Sequence, residues 1–141
     1  MLEDILAGII SGLIMGTFFL SAGVYILMTN PDIYDRLAKR FHENMSPTLV
    51  MLSMVITIPP VCGLIGGLAG LLYNAIEESR PAGGLGSPNL TFTLIVLSIF
   101  ALVTVGLVFA RRHKLWRLGF LLNLIFAAIF GWLLPALANW R

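Results

Sequence analysis

The chain has 141 residues, of which 58% are hydrophobic and only 11% are charged. Soluble domains contain about 25% charged residues, and a chain of 15.4 kDa with a mean hydropathy of +0.93 has too little interior to hide this much apolar surface from water. The sequence therefore excludes an ordinary soluble domain and predicts a single membrane domain over residues 1–141. The net charge of +2 comes from a few clustered bases, which argues against nucleic acid as a partner.

Four apolar stretches are long enough to cross the hydrocarbon core of a bilayer, which takes about 20 helical residues. They cover residues 5–28, 47–76, 90–110 and 115–140, and Arg117 is the only charged residue within them. Lipid offers no hydrogen-bond partner to the backbone, so each stretch is predicted to be an α-helix. Because the connections are short, we predict an all-α integral membrane protein whose four transmembrane helices form an up-and-down antiparallel bundle.

Small residues recur along one face of the first span. Gly8, Gly12 and Gly16 are spaced four residues apart, a pattern that lets two membrane helices approach until their backbones touch. The second span carries further glycines at the same spacing, in two pairs: Gly63 with Gly67, and Gly66 with Gly70. If the N-terminus is outside, as the basic loops indicate, both sets of glycines lie in the outer half of the membrane. We therefore predict that spans one and two pack together. The alternative is that one of the stripes serves homo-oligomerisation.

A short amphipathic helix is predicted over residues 31–43. Asn30 is a good N-cap, and Pro31 suits the first helical position. Ile33, Leu37 and Phe41 then recur at four-residue spacing, which is typical of a helix that lies on the inner membrane surface. The alternative is a helix that docks onto a partner protein.

Pro59 and Pro60 lie near the middle of the second span. Neither has an N–H group, so the carbonyls of Val55 and Ile56 lose their usual helical donors. We therefore predict a kink or a short unwound turn at the membrane centre. Its simplest role is to bend the outer half of the second span onto the first.

A functional interpretation of the same break is also open. Freed carbonyls at mid-depth form ion or substrate sites in the broken helices of transporters, and Thr57 would add a hydroxyl group. Thr104 and Asn123 are polar candidates in the third and fourth spans. No Asp, Glu or His accompanies them within the predicted spans, and such groups mark most coupled ion pathways.

The loops predict an orientation. Loops 29–46 and 111–117 together carry seven basic residues, whereas the outer loop 77–89 and the termini carry two, Arg80 and Arg141. Basic loops remain in the cytoplasm, so we expect both termini outside and both basic loops inside, in a plasma (inner) membrane. The basic residues of loop 111–117 are also candidates for binding anionic lipid, unless they only set topology: Arg111, Arg112, Lys114 and Arg117.

No catalytic chemistry is apparent. His42 and His113 lack Cys or carboxylate partners at metal-ligand spacing, and no phosphate-binding loop or nucleophile elbow is present. We therefore expect no enzyme activity, no cofactor and no metal site. The expected function is that of an accessory, scaffold or assembly subunit with a protein partner or a second copy of the chain. The alternative is a small channel or carrier that uses the Pro59–Pro60 break.

Overall fold

A computed structural model of the chain describes residues 1–33, 35–36, 46–76, 90–109 and 114–139. Every element within these ranges is helical, in the order α1 (Leu2–Thr29), α2 (Pro47–Ile76), α3 (Leu90–Phe109), α4 (Trp116–Ala128), a π-helical turn (Ile129–Leu133) and α5 (Leu134–Ala138). The last three form one rod over Trp116–Ala138. That rod and the three preceding helices are long and apolar enough to cross a membrane. The all-α class and four apolar spans are thus confirmed for the described residues.

The first helix starts earlier than the predicted span. It begins at Leu2, so Glu3 and Asp4 lie in its first turn, where carboxylates complement the partial positive charge of a helix N-terminus. Asp4 is completely buried. A hydropathy rule places the start of a span after the last charged residue, and here the helix includes that residue.

The other end of α1 is closed by Asn30. Its backbone N–H and its side-chain Nδ2 both donate to the Ile26 carbonyl, at 3.0 and 3.1 Å. Residues 31–33 and 35–36 are helical. The rest of the predicted amphipathic helix 31–43, and the whole of loop 77–89, lie outside the described residues.

The second helix continues through both prolines. Its range, Pro47–Ile76, contains Pro59 and Pro60 in its interior, so the unwound turn that we considered is not found. In a membrane such a helix is tolerated because neighbouring helices and local adjustments satisfy the freed backbone groups.

The fourth rod contains a feature that we did not predict. Between α4 and α5 the chain makes a π-helical turn, in which the Leu134 N–H donates to the Ile129 carbonyl. Pro135 follows directly and has no N–H group, so it cannot continue a regular α-helical ladder. The wider turn fits the chain around this defect, and Phe130, Leu134 and Pro135 are buried there.

The packed core lies at the end of the bundle that contains the start of α1 and the end of α2. Tyr73 of α2 is fully buried and meets Phe92 of α3 edge to face, with ring centroids 5.0 Å apart. The other members come from α1, α3 and the fourth rod: Ala7, Met15, Val96, Ile129, Phe130, Leu134 and Ala138. Phe92 and Val96 are the only buried residues among the described side chains of α3, and this helix has the lowest buried share of the four spans.

Candidate functional site

The glycines of α1 contact the backbone of α2. A Cβ atom at Gly8 would overlap the carbonyl oxygen of Gly66 and lie 2.9 Å from the Gly70 nitrogen. A Cβ at Gly12 would overlap the Cys62 carbonyl oxygen. Only a residue without a side chain allows the two backbones to approach this closely. The close approach stabilises the helix pair through dispersion and weak Cα–H contacts between the two backbones.

The contacts run in opposite directions along the two helices. Gly8 lies against Gly66 and Gly70, Gly12 against Cys62 and Gly66, and Gly16 against Pro59. The two glycine pairs of α2 differ in what they meet. Gly66 and Gly70 contact the α1 backbone, whereas Gly63 and Gly67 lie beneath the side chains of Leu13 and Ile9, where an added Cβ would be 3.2 Å from the nearest atom.

The two prolines face different surroundings. Pro59 is in the α1–α2 contact, where its Cα would be 2.8 Å from a Cβ at Gly16, whereas Pro60 is exposed. The residues whose carbonyls lose a donor also point away from the bundle, since Val55 is 50% and Ile56 is 65% exposed. Thr57 is exposed as well.

Asn123 and Thr104 are brought together. Asn123 is buried, and its Nδ2 donates to the Thr104 Oγ1 and to the Phe100 carbonyl, at 3.0 Å each. This links α4 to α3. Thr57 belongs to a different helix and surface, so the three polar candidates do not form one site.

A second set of polar contacts, which the sequence did not predict, joins the helices at the packed end. Asn74 Nδ2 donates to Asp4 Oδ2 at 2.8 Å, and the α-amino group of Met1 lies 2.9 Å from the same oxygen. Asn139 Nδ2 donates to the Tyr73 hydroxyl at 3.0 Å. Asn74 is 70 residues from Asp4, and Asn139 is 66 residues from Tyr73, so local spacing carried no signal of these two hydrogen bonds.

These polar groups link the helices to one another. Within the described ranges, no three His, Cys, Asp or Glu side chains gather where a metal ion would be held. Ser11 is fully buried between the glycines, and its Oγ has no hydrogen-bond partner among the described groups. Its small side chain extends the smooth surface of α1.

Two cavities lie at the opposite, less packed end. One, of about 280 Å³, is lined by apolar side chains of α1, α3 and α4 with Asn123 among them. The other, of about 580 Å³, lies between the end of α1 and the start of α4, and Lys114 and Arg117 line it. Neither of these cavities is lined by residues of α2. Arg111 and Arg112 lie outside the described residues.

Comparisons of the chain with protein-family models, with curated proteins and with solved structures found no match in any of the three. What the chain does has to be inferred from its own residues and their contacts.

Filling the closest backbone contact should destabilise the fold. In Gly12→Ala the new Cβ overlaps backbone that cannot rotate aside, so the helices must separate, and overpacking of this kind costs about 1–3 kcal/mol. Gly106→Ala is the matched control, because nothing lies within 4 Å of its Cβ position, and removing a helical glycine stabilises by about 0.5–1 kcal/mol. Unfolding in mixed micelles measures the free energy of unfolding of both variants. Equal effects would contradict the close contact.

The Asn123–Thr104 contact should show energetic coupling. In a double-mutant cycle with Thr104→Val and Asn123→Leu, we expect about 0.6 kcal/mol of coupling and no more than about 1.7, the range measured for hydrogen bonds between membrane helices. Ser98→Ala with Asn123→Leu is the control, because the Ser98 hydroxyl donates within its own helix to Leu94 and should give an additive pair. Additivity in both cycles would show that the Asn123–Thr104 bond carries no stability.

Proposed function

We propose that this chain is a non-catalytic subunit of a membrane complex, in which it has an accessory, scaffold or assembly role. The observation that carries the proposal is the exposure of α3, which is the least buried of the four spans. Of its described side chains only Phe92 and Val96 are buried. A helix with so little internal packing offers most of its surface to another protein or to a second copy.

The open surface of α3 is suited to close helix packing. Ala101 is exposed, and a Cβ at Gly106 would meet nothing within 4 Å. The Ser98 hydroxyl already donates to the Leu94 carbonyl within the helix, so this group needs no new hydrogen-bond partner when another helix approaches. Small residues on a smooth apolar surface are favoured where membrane helices associate.

The proposed architecture is the up-and-down bundle with both termini outside. The opposed order of the α1–α2 contacts supports it. So does the grouping of Asp4 with Asn74 and of Tyr73 with Asn139 at one end, while Asn30 and Lys114 line a cavity at the other. Loops 29–46 and 111–117 would then be cytoplasmic, in a plasma (inner) membrane.

A bend of α2 at Pro59 and Pro60 belongs to the same proposal. The ring of a proline collides with the carbonyl four residues earlier and deflects the helix axis. Pro59 packs directly against Gly16, so a bend at this point would direct the glycine-rich half of α2 along α1.

The alternative function, a channel or carrier built on the proline break, has less support. Val55 and Ile56 point outward, and the two described cavities are lined by other helices. A transport site would need the freed carbonyls to line a water-filled space.

The subunit proposal predicts a stoichiometric partner that depends on α3. Affinity purification of the full chain from mild detergent should recover one, and Ala101→Trp should reduce its yield about tenfold, which corresponds to ~1.4 kcal/mol of binding free energy. Leu64→Trp is the control, because Leu64 is 72% exposed on α2, and this variant should retain the partner. Both variants should have the same unfolding temperature as the native chain.

Two results would contradict the proposal. One is a monodisperse chain that recovers neither a partner nor a second copy at native expression. The other is equal partner recovery by the Ala101→Trp variant, which would remove α3 as the contact surface.

A further inference from the structure

We propose that the cavity between the end of α1 and the start of α4 binds one anionic phospholipid. Its volume of about 580 Å³ lies within the range of about 300–1,000 Å³ that is usual for small-molecule sites. The proposal requires only that these helices lie in a bilayer, and it does not depend on the subunit role.

The polar part of the cavity is positively charged. Lys114 and Arg117 line it on the side of α4, and Thr29 and Asn30 line it on the side of α1. No carboxylate is among its described lining residues. An anion bound here would balance the two positive charges of this described lining.

The geometry of Arg117 keeps this charge at the rim. Its guanidinium carbon lies 5.9 Å from the centroid of the Trp116 ring, a distance at which a cation and an aromatic face attract each other. The first turn of α4 has no side-chain cap, and its amide groups add partial positive charge at the same end. A phosphodiester at this position would have charge-assisted donors of fixed orientation.

The rest of the cavity wall is apolar, and this favours a lipid over a free anion. Leu118 and Leu121 line it one turn further into α4, and Tyr25 lines it on α1. Leu121 is 51% exposed, so the apolar part opens towards the surface that lipid chains would cover. A free phosphate would meet the cations but leave these side chains without a partner, whereas a phospholipid would contact both.

The sequence indicated four basic residues as candidates for binding anionic lipid, and the structure places two of them at this cavity. These two residues, Lys114 and Arg117, line it together with polar groups from α1. A helix pair with a cationic rim and an apolar interior matches the basic pockets that hold anionic headgroups between membrane helices.

Native mass spectrometry of the full chain, titrated with phosphatidylglycerol or phosphatidylcholine, tests the site. We expect one phosphatidylglycerol per chain, bound at least about tenfold more tightly than phosphatidylcholine, since each base near an anionic lipid contributes a several-fold gain. Lys114→Gln with Arg117→Gln should remove that preference. Inorganic phosphate at millimolar concentration should not displace the lipid.

Two tryptophan variants distinguish lipid binding in the cavity from general electrostatic attraction to the basic residues. Leu118→Trp keeps every charge but fills the cavity, and it should lower phosphatidylglycerol binding about tenfold. Leu124→Trp, at a residue that is 50% exposed and outside the cavity lining, should leave binding unchanged. Unchanged binding by Leu118→Trp, equal binding of both lipids to the native chain, or displacement by phosphate would overturn the proposal.

Discussion

The backbone contact between α1 and α2 is the constraint on which the remaining structure depends. In a bilayer, moving an apolar side chain from lipid to a helix interface gives no hydrophobic free energy. Two helices therefore associate only where they pack more closely against each other than against acyl chains. Gly8 and Gly12 provide that fit, because the space that their Cβ atoms would fill is occupied by carbonyl groups of α2. Among the described helices, most of the interhelical packing belongs to this pair.

The other helices are arranged around this pair unevenly. At one end the buried ring of Tyr73 joins Phe92 and the fourth rod into a packed core, and the Asn139–Tyr73 bond adds a polar link. At the other end the start of α4 and the end of α1 are separated by a cavity. The cavity at the open end is where we propose that a lipid binds, and the exposed surface of α3 is where we propose that a partner binds.

The sequence predicted the parts of this structure that depend on composition and short spacing. Four apolar stretches indicate four helices in any arrangement, and the positions of Gly8, Gly12 and Gly16 were visible at four-residue spacing. Burial of Asp4 was not predictable, because it depends on Asn74 at the far end of another helix. The π-helical turn had a local signal in Pro135, but a proline alone does not distinguish a kink from a wider turn.

The direct measurement of the α1–α2 register is disulfide formation in the membrane. The chain has one cysteine, Cys62, and a Cβ at Gly16 would lie 3.1 Å from its Cβ, slightly less than the ~3.5–4.5 Å of disulfides. The same Cβ would lie 2.8 Å from the Pro59 Cα, so the helices must shift slightly apart, which also brings the two Cβ atoms closer to disulfide spacing. Mild oxidation of Gly16→Cys should therefore give an intrachain bond to Cys62, while Phe18→Cys, on the exposed side of α1, should give none. Equal cross-linking of both variants, or bonds only between separate chains, would contradict the packing described above.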